Sequence, residues 1–218
     1  MGRPSRDNGL MAQPFRIHVG DRLPVQHSGF TCGSSSLTVA RMLADPTFAA
    51  WVSEGKSEDP TLPAGSTPDA RLAAVEDQVL ARTTALVGPG RRLQLPWPRR
   101  FGTPPWGARA ELENGAAPAG TRYEVRWCRW GSEQRLRDRV GQVRDRVGQD
   151  RPALLYIGSS TLPRHVTLLV ASETGPGLDV YDPSAGSLQA LDVDAFAGRR
   201  LAVAGWPVPW CVVQPRSQ

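Results

Sequence analysis

Short apolar runs dominate the last third of the chain and helical spacing dominates the first. Ala153 to Gly158 (ALLYIG), His165 to Ala171 (HVTLLVA) and Leu178 to Tyr181 (LDVY) are runs of strand length, and the turn signal Thr174-Gly175-Pro176-Gly177 separates the last two. They predict a sheet containing a hairpin. Near the other end, Leu37, Ala40, Leu43 and Ala44 recur at helical spacing behind Cys32, with Thr31 placed to cap. Asp45-Pro46 then ends that helix and starts a second. A Gly/Pro/Ser-rich connector, Gly55 to Ser66, leads to a third helix. Thr67 is its cap, Pro68 sits in its first turn, and Leu72, Val75, Glu76, Val79, Leu80 and Leu86 form an incomplete apolar stripe.

The middle of the chain reads differently. Residues 88–120 lack periodicity and are crowded with Pro, Gly and Trp, so they predict an irregular excursion with one short helix near Pro105 to Leu112. Such a length is too great for an idle loop in a compact domain. The excursion is therefore expected to shape a groove, with Trp97 and Trp106 as candidate lining and plain packing as the competing role. Tyr123, Val125 and Trp127 alternate like a half-buried strand, and Ser132 can cap the next helix. That helix carries a tandem heptad, RDRVGQV and RDRVGQD, with Leu136, Val140, Val143 and Val147 on one face. Two heptads are too few for a coiled coil, so an amphipathic helix packed on the sheet is expected. Leu201 to Val213, interrupted by Pro207 and Pro209, predicts an edge or terminal strand.

Composition narrows the class. The 218 residues are 40% hydrophobic, enough for an ordinary core. The reading is a polar N-terminal arm, 1–20, followed by one catalytic domain over 21–218. The first dozen residues lack an apolar signal core, Met11 is an alternative start, and nothing has the length to span a bilayer. Together these predict a cytoplasmic protein with no membrane partner. The formal charge of +5 comes from 26 basic and 21 acidic residues, with Lys56 the sole lysine. Arg91-Arg92 and Arg99-Arg100 are the densest pairs. Without an accompanying nucleic-acid motif they read as solvated loops, and no nucleic acid is expected. Cys32, Cys128 and Cys211 do not make a disulfide framework. Cys128 and Cys211, each after a tryptophan, read as buried core thiols. No Cys/His cluster has zinc-ligand spacing, and neither metal nor cofactor is expected.

The candidate chemistry lies in the order Gln26, Cys32, His165, Asp182. A thiol at a helix start beside an imidazolium becomes a nucleophile. Gly33, Ser34, Ser35 and Ser36 are small enough to admit a substrate. His165 at the head of one strand and Asp182 at the end of the next can meet if those strands pair antiparallel, with Asp182 orienting the base. The Gln26 amide and the Cys32 backbone N–H are candidate oxyanion donors. The competing readings are a packed helix-start cysteine, a satisfied strand-end histidine, a simple turn at Asp182 and a loop-bonding glutamine. His18 and His27 are weaker rivals for the base, and Asp179, Asp192 and Asp194 for the orienting carboxylate.

These residues carry a resemblance. Gln26 followed by Cys32-Gly33 opening the first helix, His165 opening an apolar strand, and the turn Asp182-Pro183-Ser184-Ala185-Gly186 resemble the papain-like cysteine peptidases. The nearest branch is the bacterial one that trims double-glycine leaders from bacteriocin precursors, together with its stand-alone relatives. The resemblance covers about Val25–Leu43 and Arg151–Phe196. It departs at Thr31, where that branch usually carries an acidic residue, and in lacking the Cys-Trp pair of papain. It implies an α+β fold with a nucleophile helix packed on an antiparallel sheet that carries His165 and Asp182. It also implies bacterial origin and hydrolysis of a peptide or protein substrate through a Cys-His-Asp triad and a thioester acyl-enzyme. Two alternatives share the residues: a Cys-His-Asp acyltransferase or transglutaminase-like enzyme, and a non-catalytic interaction module retaining the fold.

Overall fold

A computed structural model describes residues 14–57 and 59–217. Met11 and positions 1–13 of the polar arm lie outside the described residues. Within 14–20, Ile17 is buried in the core and Phe15 packs against it.

The first helix, α1 (Cys32–Ala44), is buried on nearly every side, which explains its composition. A helix in the middle of a domain must be built from small or apolar side chains, and its hydroxyls must find partners. Here Ser36 donates to the Val166 carbonyl at 3.3 Å, Thr38 to the Ser34 carbonyl at 2.9 Å, and Ser34 to the Thr31 carbonyl at 3.0 Å. Thr31 does not cap α1 with its side chain. Its hydroxyl donates instead to the Ser28 carbonyl at 3.1 Å, holding the approach loop rather than the helix. Asp45 caps α2 (Pro46–Glu54), accepting the Phe48 N–H at 3.0 Å, and Thr67 caps α3 (Pro68–Thr84) through the Ala70 N–H at 3.2 Å. The α3 stripe is buried through Leu80, whereas Leu86 lies past the helix end and is exposed. Arg71, buried on α3, donates to the carbonyls of Val52, Ser53 and Gly65 and so ties α2 and the connector to α3.

After α4 (Pro105–Glu113) come β1 (Tyr123–Trp127), α5 (Glu133–Arg144), β2 (Ala153–Gly158), β3 (Pro163–Ala171), β4 (Leu178–Asp182), β5 (Ser187–Ala190), α6 (Val193–Ala197) and β6 (Val208–Pro215). The strands form one antiparallel sheet in the order β1-β6-β2-β3-β4-β5. Side chains alternate between its faces. Leu154, Tyr156, Val166, Leu168 and Tyr181 join the core under α1 to α4. Leu155, Ile157, Leu169 and Val180 join a second core with Leu136, Val140 and Val143 of α5 and Phe196 of α6. The fold is thus α+β, with the cysteine-bearing helix packed on an antiparallel sheet that carries His165 and Asp182, as the sequence predicts.

The last strand is terminal in the chain, as expected, but it is not at an edge of the sheet. β6 is an interior strand, paired with β1 on one side and β2 on the other. Pro209 is tolerated because the β2–β6 register shifts there and because β1 reaches only to Cys211. β5 and α6 were not anticipated, although Asp192 caps α6 through the Ala195 N–H at 2.9 Å. No helix among the described residues is long and apolar enough to cross a membrane.

Candidate active site

The sheet register brings the two carboxy-terminal candidates together. Leu168 pairs with Tyr181 across β3 and β4, so one step further Asp182 faces Thr167, and His165 is its diagonal neighbour on the same face. His165 Nε2 lies 2.8 Å from Asp182 Oδ1. The same Oδ1 accepts the Ser184 N–H at 2.9 Å and the Ser184 hydroxyl at 2.7 Å. Three donors on one carboxylate oxygen fix its position. The turn that presents Ser184 depends on Gly186, whose φ is +60° and where a Cβ would stand 2.5 Å from the Leu23 carbonyl oxygen. That close approach lets the 23–26 segment run beside the turn, with the Leu23 N–H on the Gly186 carbonyl at 3.0 Å and the Gln26 N–H on the Pro183 carbonyl at 2.8 Å.

The cysteine half of the site arrives on α1. Cys32 occupies its first position, where backbone N–H groups have no partner within the helix. Tyr181 on β4 donates to the Pro24 carbonyl at 2.7 Å, with the Ser35 hydroxyl of α1 3.4 Å from its oxygen, so this tyrosine joins helix, loop and strand. Gly33 is needed for a close contact: a Cβ there would lie 2.7 Å from Thr103 Cβ, on the segment before α4. The approach loop is anchored by Glu76, the polar member of the α3 stripe, which accepts the His27 ring at 2.8 Å and the His27 N–H at 3.3 Å.

The halves meet at a groove that Cys32 and His165 both line, and the Cys32 sulfur is among the groups that raise the His165 pKa. With Nε2 on Asp182, the imidazole nitrogen left for sulfur is Nδ1. Burial disfavours the imidazolium, but the bond to Asp182 and the charges of Cys32 and Asp182 outweigh it, raising the His165 pKa from 6.5 to about 9. Burial likewise pushes against the Asp182 carboxylate, and the His165 and Ser184 bonds overcome it, holding its pKa below the ordinary value. At neutral pH the histidine is therefore charged, beside the Cys32 sulfur and the Asp182 carboxylate. Cys32, His165 and Asp182 are 6%, 7% and 5% exposed, so water screens these interactions little.

The sulfur still opens to the outside. Cys32 and His165 line a groove of about 700 Å³ walled by Trp97, Trp106, Tyr156 and Trp210, and Cys32 also lines an adjoining lobe with Phe30, Arg100, Leu162 and Arg164. Both tryptophans expected from the 88–120 excursion are groove lining, and the excursion contains the short helix α4 near its predicted place.

The remaining candidates fall elsewhere. Gln26 is half-buried, its Nε2 donates to the Ser28 carbonyl at 2.6 Å, and it lines neither lobe. His18 has the acidic partners that its sequence context did not reveal, Asp21 and Glu173, at an exposed position. Asp192 caps α6 and Asp194 pairs with Arg137. Cys128 and Cys211 are buried, and burial pushes the Cys128 thiol up to about 12 and raises Cys211 as well. Sequence reasoning missed Ser184, although Asp-Pro-Ser carries the signal of an Asp side chain bonding two residues on. It also missed Arg164, one residue before the histidine.

Neither a protein-family model nor a curated protein matches this sequence. Among solved structures it is similar to the crystal structure of the Pseudomonas avirulence protein AvrPphB, at 13% identity over 94% of this chain and 98% of that chain, with a TM-score of 0.47. A likeness at that level carries no weight for the chemistry, which rests on the contacts of Cys32, His165 and Asp182.

Proposed function

We propose that this protein is a papain-like cysteine peptidase that hydrolyses a peptide bond through Cys32, His165 and Asp182. The observation that carries this reading is the His165 imidazole bound to Asp182 at 2.8 Å and lining the same groove as the Cys32 sulfur at the start of α1. The imidazolium of His165 holds the proton given up by the Cys32 thiol, and the thiolate attacks the substrate carbonyl carbon. The resulting oxyanion lies at the start of α1, where the Cys32 N–H is one donor, and Gln26, the second candidate, would have to leave its bond to the Ser28 carbonyl to reach it. Collapse expels the amine, which takes the His165 proton, and leaves a thioester on Cys32. His165 then removes a proton from water, water attacks the thioester, and the acid product and free thiol are released. Asp182 holds the imidazole in position and stabilises its charged form throughout.

The residue order Gln26, Cys32-Gly33, His165, Asp182-Pro183 supports placing the chain near the double-glycine leader-processing branch and its stand-alone relatives. The test is turnover of a quenched peptide library by the wild type and by Cys32→Ala, with product masses recorded in the presence and absence of added amines. Cleavage that disappears with Cys32→Ala, giving free acids in both conditions, supports the peptidase. Unimpaired turnover by Cys32→Ala refutes it, and amine adducts as the main product replace hydrolysis with acyl transfer.

A further inference from the structure

The two lobes that meet at Cys32 are lined by no aspartate or glutamate. Apart from His165, their charged side chains are Arg100 and Arg164. Several arginines elsewhere are paired with carboxylates, Arg82 with Glu111, Arg126 and Arg146 with Glu124, Arg109 with Glu113 and Arg137 with Asp194, while Arg71 and Arg199 bind backbone carbonyls. Among the described residues neither Arg100 nor Arg164 has a carboxylate within ion-pair distance. The Arg100 guanidinium lies 4.8 Å from the centre of the Phe101 ring, and Arg164, exposed, is the residue left unpaired at the β2–β3 bulge just before the histidine. Two cations at the mouth of an apolar cleft, with no acidic group lining it, give it a positive field. Beside them the groove is aromatic: Trp97 meets Trp106 edge to face at 5.3 Å, and Trp210 is pinned by its Nε1 bond to the Ser159 carbonyl at 3.0 Å.

We infer that this cleft selects a peptide carrying an acidic side chain and a large apolar side chain close to the scissile bond, with Arg100 and Arg164 receiving the carboxylate. The inference rests on the peptidase reading for its substrate, but the charge selectivity of the cleft is testable without any cleavage. Matched peptides that keep one aromatic residue and vary a neighbouring position among Glu, Gln and Lys are compared by kcat/KM. Ion pairs at these exposed positions give the Glu peptide roughly a three- to tenfold advantage over Lys at low salt, shrinking as salt rises. The double variant Arg100→Glu, Arg164→Glu reverses the order, and the charge-matched control Arg91→Glu, Arg92→Glu, outside both lobes, leaves it unchanged.

The same proteins are also treated with iodoacetate and iodoacetamide, an anionic and a neutral alkylator of Cys32. The ratio of their rates falls several-fold in the Arg100/Arg164 variant and not in the control. A falling ratio with no peptide cleaved sinks the peptidase reading and sustains the anionic preference of the cleft. Cleavage that ignores peptide charge, together with an unchanged ratio, overturns the inference and leaves the peptidase standing.

Discussion

The β3–β4 hairpin and the segment from Leu86 to Pro105 wall the same cleft, yet they are held in opposite ways. The hairpin lies inside a six-stranded sheet, and its residues from His165 to Val170 and Leu178 to Asp182 are buried. The 86–105 segment has two short 3-10 turns and one isolated bridge, Val87 to Leu93, and it leaves Leu93, Leu95 and Phe101 exposed. What secures it is a few polar contacts with the end of α3. The Gln94 side chain donates to the carbonyls of Arg82, Thr83 and Ala85 at 3.1, 2.9 and 2.9 Å, and the Trp97 N–H to the Thr84 carbonyl at 2.9 Å. A ladder that cannot slip without turning every side chain over suits reacting groups that need fixed geometry. Most of this wall can change its side chains without touching Cys32, the exception being Thr103, which packs against Gly33. The proposed base and its carboxylate thus sit on the sheet, while much of the groove's aromatic wall sits on the loop.

The largest effects should come from the sheet-borne chemistry. Cys32→Ala and His165→Ala should each reduce kcat/KM by roughly 10⁴-fold or more with little change in KM, measured on a cleaved library peptide. Asp182→Asn should cost about 10²–10⁴-fold, because the imidazole loses its orientation and its stabilising charge together. If Asp182→Asn turned over normally, the histidine would be positioned by something other than β4.

The pH profile sharpens the same comparison. The alkaline limb of kcat/KM should fall near the His165 value of about 9, since the leaving amine needs the imidazolium proton. Because His165 binds its proton more tightly folded than unfolded, its contribution to stability is complete below 6.5 and disappears as pH rises through about 9. Asp182, with its pKa depressed, contributes above the ordinary carboxylate value of 3.8 and loses that contribution as pH falls below it. Thermal unfolding of the wild type against Asp182→Asn should therefore differ most between those limits and converge towards strong acid.

Smaller effects belong to the supports. Ser184→Ala removes one charge-assisted bond to Asp182 and should lower kcat by about tenfold. Gln94→Ala should destabilise the fold by about 1–3 kcal/mol, judged by denaturant unfolding, and raise KM while leaving the alkylation rate of Cys32 unchanged. Loss of that rate in Gln94→Ala would mean that the loop also holds the nucleophile. Leu93→Ser, at the exposed tip, should change stability by less than about 0.5 kcal/mol.

How much of this was legible in the sequence follows the same division. The α1 start, the three apolar runs and the Asp-Pro turn are local patterns, and the antiparallel pairing they imply is enough to place His165 beside Asp182. The centrality of β6 was hidden, because Pro209 reads as an edge signal until the register shift against β2 is known. Thr31 carries the right residue type for a cap, but its hydroxyl is taken by Ser28, a competition that composition does not reveal. Glu76 looked like a flaw in an apolar stripe and is the anchor of the loop before Cys32, because its partner His27 lies 49 residues away. The bond of Gln26 to Ser28 and the unpaired state of Arg100 and Arg164 likewise depend on neighbours that only the folded chain brings together.

The pairing of Cys32 with a charged His165 is most directly measured by the rate at which iodoacetamide alkylates Cys32 at pH 6, followed by mass spectrometry of the native protein. Alkylation far faster than free cysteine at that pH, confined to Cys32 while Cys128 and Cys211 stay unmodified, and slowed to the rate of free cysteine or below by His165→Ala, is the expected result. A Cys32 that reacts no faster than free cysteine, or that is unaffected by loss of His165, would contradict it.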